Sequence, residues 1–294
     1  MFNTIEEYLD ALKNEMKDAD PALVQDAQAD AREHLSMALE VARGKTPDGN
    51  EAEALKSIVN EYGTPEETAS AYREIERRTS PSLKQAAKPN SFWGRVFGVY
   101  LDPRTWGSLL FMFIAFVTGI LYFTWAVTGT ALSISFLILI IGLPFAILFL
   151  LSVQGLTLLE GRLVEALLGV RMPRRPLFAQ PGLKWLDRLK ALVTDKHTWL
   201  SMLYMVLQMP LGIVYFTVNV TLIALSLGFM AAPFAQVIGH FPIVSTLQGR
   251  VFLAYWALIL MEIGGFLLLT VTMHLVRAVG WLHGRYAKWM LVAN

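Results

Sequence analysis

The sequence predicts an all-α protein. A small cytoplasmic helical domain precedes a polytopic membrane domain of four spans, built from two parallel two-span repeats with amphipathic helices on the inner surface. Three observations carry this reading. First, Asp102-Pro-Arg-Thr-Trp106, followed by Gly119-Ile-Leu-Tyr-Phe-Thr124, returns at an offset of 93 residues as Asp195-Lys-His-Thr-Trp199 and Gly212-Ile-Val-Tyr-Phe-Thr217, with 17 identities over the 35 positions from 102 to 136. A repeat of this kind defines the architecture before any local pattern does. Second, the charge is divided: residues 1–78 hold 9 Lys/Arg against 18 Asp/Glu, a net of −9, and residues 79–294 hold 16 against 6, a net of +10. Third, 54% of the chain is apolar, and those residues gather in runs near the ~20 residues that a bilayer requires. The resulting domains are 1–78, a linker over 79–91, and 92–294.

The head reads as four short amphipathic helices. Thr4 and Glu7 form a capping box ahead of Ile5, Leu9, Leu12 and Met16, which share one helical face. Asp20-Pro21 opens a second helix with the stripe Leu23, Ala27, Ala31, Leu35 and Ala38, and Gly44 is placed to close it. Leu55, Ile58, Val59 and Tyr62 line a third helix that Gly63 ends. Thr64-Pro65-Glu66-Glu67 is another capping box, leading into Ala69, Tyr72 and Ile75. Gly44-Lys45-Thr46 is not a phosphate-binding loop, because Leu39 stands where the first glycine is needed and no strand precedes it. His34, between Glu33 and Leu35, is expected to be half-buried against a neighbouring helix.

With these residues in place the head resembles the HAAS domain, a helical signalling module associated with helix-turn-helix regulators. The resemblance is carried by Glu6-Glu7-Tyr8-Leu9, Glu33-His34-Leu35, and Gly63-Thr-Pro-Glu-Glu-Thr-Ala69 with Tyr72. It implies coupling to a PadR-type winged-helix transcription factor. The expected contact surfaces are the Glu33–His34 face and the corner formed by Gly63, Pro65 and Glu66.

Residues 79–91 are a polar, Pro-containing tether. Phe92, Trp93, Phe97 and Tyr100 around Arg95 predict a short interfacial segment. Asp102 and Asp195 are expected to cap the helices that follow, with Trp106 and Trp199 in the aromatic belt. Spans are expected over 107–128, 132–153, 200–222 and 252–274, with Pro144 kinking the second. The stretch 223–251 reads as an outer loop, partly re-entrant. Leu159-Glu-Gly-Arg162 answers Leu282-His-Gly-Arg285, so the repeat resumes after the second and fourth spans. Between spans, 158–168 and 183–193 read as inner-surface helices flanking Arg171, Arg174 and Arg175, held against anionic lipid. Of the 25 Lys and Arg residues only Arg250 falls in an outer segment, which predicts a cell-membrane protein with both termini cytoplasmic.

Glu262 is the one ionisable residue expected deep in a span, with Gln208 and Thr118 as partners at similar depth. An intramembrane carboxyl is costly, and two readings stand: a structural interhelical bond where Gly264 and Gly265 let backbones approach, or a ligand site or switch. Cys is absent and the five His residues form no ligand pair, so neither metal nor cofactor is expected. No protease, hydrolase or nucleotide-binding motif is present, so an enzyme is not expected. The acidic head disfavours direct nucleic-acid binding.

Residues 92–291 resemble the sensor domain found ahead of kinase modules in some bacterial and archaeal histidine kinases. Both Asp-x-x-Thr-Trp stretches, both Gly-Ile-x-Tyr-Phe-Thr stretches, Ile141-Gly-Leu-Pro144, Ala232-Pro233 and Leu163-Val-Glu-Ala-Leu-Leu-Gly169 carry the likeness. To Asn294 the chain shows no dimerisation His and no ATP-binding domain, so the head is expected to supply the output. The expected function is a membrane signalling protein whose head binds or releases the regulator. The alternative is a transporter or permease accessory subunit with Glu262 on a substrate or proton path. Homo-oligomers are compatible with either.

Overall fold

The computed structural model describes residues 2–45, 50–79, 91–136, 142–174, 190, 192–242, 244–246 and 249–292. Its helices, in order, are α1 (Ile5–Glu15), α2 (Pro21–Lys45), α3 (Glu51–Tyr62), α4 (Pro65–Thr79), α5 (Phe92–Phe97), α6 (Pro103–Phe136), α7 (Gly142–Leu168), α8 (Lys196–Val237) and α9 (Tyr255–Leu291). The short strands β1 (Val244–Thr246) and β2 (Gly249–Val251) pair antiparallel, Ser245 opposite Arg250. The protein is all-α, and among the described residues this hairpin is its one piece of β structure. Tertiary contacts divide it into two compact units. The first comprises Met1–Lys84, Tyr122–Leu207 and Gly284–Asn294, and the second Gln85–Leu121 and Gln208–His283.

In the first unit α1–α4 enclose one core. Tyr8, Leu9, Leu12 and Met16 of α1 and the segment after it meet Leu23, Ala27, Ala31 and Leu35 of α2, Leu55 and Val59 of α3, and Ala69 of α4. The reciprocal capping box closes as its residue types dictate: Thr64 N donates to Glu67 Oε2 (2.9 Å) and Glu67 N to Thr64 Oγ1 (3.3 Å). Glu7 N likewise donates to Thr4 Oγ1 at 3.2 Å. Tyr8 is fully buried, and its hydroxyl lies 3.0 Å from both the Gly63 carbonyl oxygen and Thr68 Oγ1. That pins α1 to the α3–α4 corner, where Gly63 has φ +112°. Such backbone belongs to glycine alone.

The four long helices α6, α7, α8 and α9 are each apolar and long enough to cross a membrane. They run further than the sequence pattern suggests. The break expected near 129–131 is helical: Thr130 Oγ1 donates to Ala126 O and Ser135 Oγ to Ala131 O, so both hydroxyls are satisfied without leaving the helix. Gly129 is held there by packing, since a methyl group at its Cα would lie 2.0 Å from the Phe149 ring. Pro144 falls in the first turn of α7, where its missing N–H costs no intrahelical bond, and so it starts this helix and does not kink it. Residues 158–168, expected as a surface helix, continue α7. Most of 183–193, with Arg175 and the tether over 80–90, lies outside the described residues.

In the second unit the expected outer loop over 223–251 is helical to Val237, and α8 carries both Pro210 and Pro233 in its interior. The hairpin is fastened to its end by Gln236, whose amide donates to Leu253 O (2.8 Å) and accepts from Leu253 N (2.9 Å). The segment ahead of α6 packs on α9: Phe97 and Tyr100 lie against Phe266, and the Tyr100 hydroxyl is 2.9 Å from Thr270 Oγ1.

Gly63→Ala should cost ~1–3 kcal/mol, because the added Cβ is strained at this backbone conformation. Thermal unfolding of the full chain followed by circular dichroism should show a lowered midpoint; an unchanged midpoint would refute the role assigned to Gly63.

Candidate functional site

The duplication is visible as geometry. Trp106 Nε1 donates to Tyr100 O (2.8 Å) and Trp199 Nε1 to Val193 O (2.7 Å), so each indole bonds the carbonyl six residues before it. Asp102 Oδ1 accepts from Arg104 N (3.0 Å) and Asp195 Oδ2 from Thr198 N (2.9 Å). Asp102 is buried and also pairs with Arg277 of α9 at 3.3 Å.

Within the second unit α6 and α8 cross reciprocally. A methyl group at Gly119 would lie 2.7 Å from the Gln208 carbonyl oxygen, and one at Gly212 would lie 2.4 Å from that of Ala115. The repeat offset carries 119 onto 212 and 115 onto 208. Each glycine thus touches the counterpart of the residue that the other touches, which is the signature of a two-fold-related contact. Close approach of this kind is how small residues join helices in lipid.

The same correspondence assembles two polar clusters. In the first unit Glu160 of α7 is 1% exposed, and the Tyr204 hydroxyl of α8 donates to its Oε1 at 2.8 Å. Tyr122 of α6 faces the same carboxyl, and Tyr286 of α9 stacks on Tyr204 at 5.4 Å. In the second unit His283 of α9 is 1% exposed; its Nδ1 lies 3.1 Å from the Tyr215 hydroxyl, and Phe111 packs on the imidazole at 4.7 Å. The repeat equates Glu160 with His283, Tyr122 with Tyr215, and Tyr204 with Phe111. Each repeat therefore buries one titratable side chain beside one conserved-in-register tyrosine, an acid in the first copy and a base in the second.

A third feature joins the head to the end of α7 inside the first unit. Asp26 of α2 and Arg171, both under 10% exposed, pair at 2.9 Å, and Asp26 Oδ1 accepts from Arg174 N at 2.6 Å. Arg171 also meets Glu76 of α4 (3.5 Å) and Glu165 of α7 (3.4 Å), and Arg174 meets Glu165 at 2.9 Å. Lys288 of α9 pairs with Asp20 at the start of α2. Burial makes these pairs costly to break from one side, since the remaining charge is left uncompensated.

The residues singled out from sequence fall elsewhere. Glu262 is exposed on α9 and makes no hydrogen bond or ion pair among the described residues, so neither Gln208 nor Thr118 bonds to it. Its neighbour Gly265 faces α8, where a methyl group would lie 2.9 Å from Ser226 O. Gln208 is fully buried at the α6–α8 crossing, and Thr118 Oγ1 is buried next to Gly119. His34 is exposed and stacks on Tyr62 at 4.7 Å, in place of the half-buried setting expected. Pro65 is buried in the first turn of α4, and Glu66 is exposed beside it. Among the described residues no cluster of His, Asp and Glu could hold a metal ion.

Sequence reading passed over Glu160, His283 and Asp26. A signal for the first two existed, because the Leu-x-Gly-Arg correspondence sets a titratable residue at x in both copies. Asp26 had none, being one carboxylate on a heavily charged helix.

A family model described as "Putative sensor" matches residues 111–291. No curated protein and no solved structure shows a match to the chain.

Asp26→Ala should destabilise the protein by ~3–5 kcal/mol, the cost of stranding a buried Arg171. Glu51→Ala, which removes the exposed pair with Arg43, should cost under ~1 kcal/mol. Thermal unfolding of both variants checks the ranking; equal midpoints would count against the buried network.

Proposed function

The chain belongs to the sensor family whose model spans residues 111–291, and from that premise we propose that it is a membrane signalling protein whose head reads the state of the long apolar helices. The observation that carries this is the buried Asp26–Arg171 pair, with Glu76 and Glu165 around it. An ion pair of this kind is close to neutral as a source of stability but strongly sensitive to the position of its partners. It therefore suits a switch better than a staple. Movement of the α7 end by a few ångströms separates Asp26 from Arg171 and exposes the acidic face of α2.

In this reading the protein lies in the cell membrane with both termini in the cytoplasm, as the distribution of Lys and Arg favours. The head is then the output. It captures or releases a cytosolic PadR-type winged-helix regulator, supported by the HAAS-like residues at Glu33–His34 and at Gly63–Glu66. The exposed side of His34 and Glu66 leaves both surfaces available for such a contact. Binding and release need no chemical step, so the protein is proposed to act without catalysis. Glu262, exposed and without a bond among the described residues, gives the transport alternative no support.

Because the chain lacks Cys, spin labels at Met37→Cys on α2 and Ala166→Cys on α7 report the head position without background. In lipid nanodiscs, Arg171→Ala should broaden and lengthen the distance distribution, and Arg171→Lys, which keeps a cation among Asp26, Glu76 and Glu165, should restore much of it. The regulator recovered with the full-length chain should change several-fold between native protein and Arg171→Ala. An unchanged distribution would overturn the switch, and failure to recover any winged-helix protein would overturn the output.

A further inference from the structure

We infer that Glu160 is a proton-exchanging group, and that its ionisation state is transmitted along α7 to the ion pairs that hold the head. The inference rests on the proposed reading of those pairs as a switch, and it names the stimulus.

Three observations carry it. Glu160 is 1% exposed and bonded to a phenol, so gain or loss of a proton changes what the carboxyl can donate and accept. A neutral carboxyl carries one donor and a carboxylate carries none, so loss of the proton leaves Glu160 an acceptor only: Tyr204 goes on donating to it, and the buried Tyr122 hydroxyl gains a second oxygen to turn towards. Next, the cluster draws on three helices besides its own. The titratable groups facing it are Tyr122 from α6, Tyr204 from α8 and, stacked behind Tyr204, Tyr286 from α9. On α7 itself the nearest charges are Arg162 and Glu165, which pair with each other at 3.4 Å. Finally, Glu165 holds both Arg171 and Arg174, and it lies five residues beyond Glu160 on one unbroken helix. A helix is stiff over such a distance, so a shift at the carboxyl reaches the head-binding arginines directly.

The second repeat adds an independent point. His283, the counterpart of Glu160, is equally buried and sits at hydrogen-bond distance from Tyr215, the counterpart of Tyr122, where Glu160 is bonded to Tyr204. A position used only for packing would have no need to be titratable in both copies. The proton is exchanged with bulk water, and no other reactant is required.

The test uses the full-length chain in lipid nanodiscs, with the Met37→Cys and Ala166→Cys labels. Infrared difference spectra taken between about pH 5 and pH 9, a window wide enough for a buried carboxyl, follow the protonated carboxyl band. Label distances are measured over the same range. The band should titrate with the same midpoint as the distance change, and Glu160→Gln should abolish both while keeping the fold, because the amide oxygen still accepts from Tyr204. If Glu160→Gln does not fold, Tyr204→Phe serves instead, and should move the common midpoint by about one pH unit. A purely structural bond would leave the distances pH-independent, and a different sensing group would leave them pH-dependent in Glu160→Gln; either result overturns the inference. The switch itself is judged separately: if Arg171→Ala releases the head while pH has no effect, only the proton assignment fails.

Discussion

The crossing of α6 and α8 is the constraint on which the membrane half depends. Two helices in lipid gain nothing from burying apolar surface, since the tails around them are as apolar as leucine. They associate where backbones can touch. Gly119 and Gly212 provide that contact twice, each against the main chain of the other helix, and any larger side chain would collide with a carbonyl. Within the second unit the two copies thus meet as near-equals, each glycine touching the counterpart of the residue that the other touches.

The equality is broken in a particular way. One repeat keeps an acid with two phenols, Tyr122 and Tyr204; the other keeps a base, one phenol, Tyr215, and a phenylalanine, Phe111. Divergence at the same register thus sets a buried acid in one copy and a buried base in the other. The end of α7 then gathers its own charges, Glu165, Arg171 and Arg174, and meets the carboxylates of the acidic head. The basic residues expected against anionic lipid include two that are turned to protein instead.

Much of the fold was legible because it follows from local rules. Capping boxes at Thr4 and Thr64, stripes such as Leu23 to Leu35, and apolar runs of sufficient length each act within a few residues of themselves. Helix boundaries were less legible. Gly129 and Thr130 look like a turn until Phe149 packs on one and the helix backbone accepts a bond from the other. The site was least legible, since depth along the chain is not burial in the protein. Glu262 lies far from the ends of its apolar run yet faces outward, whereas Glu160, two residues from Arg162, is sealed by tyrosines from other helices. The Asp26–Arg171 pair joins residues 145 positions apart, beyond the reach of any periodicity.

The reciprocal glycine contact also restricts how these helices can move. Gly119 rides on the backbone of α8 and Gly212 on that of α6, so the separation of the two helices at this crossing is set by both contacts together. A single added methyl at either glycine therefore spreads both contacts at once.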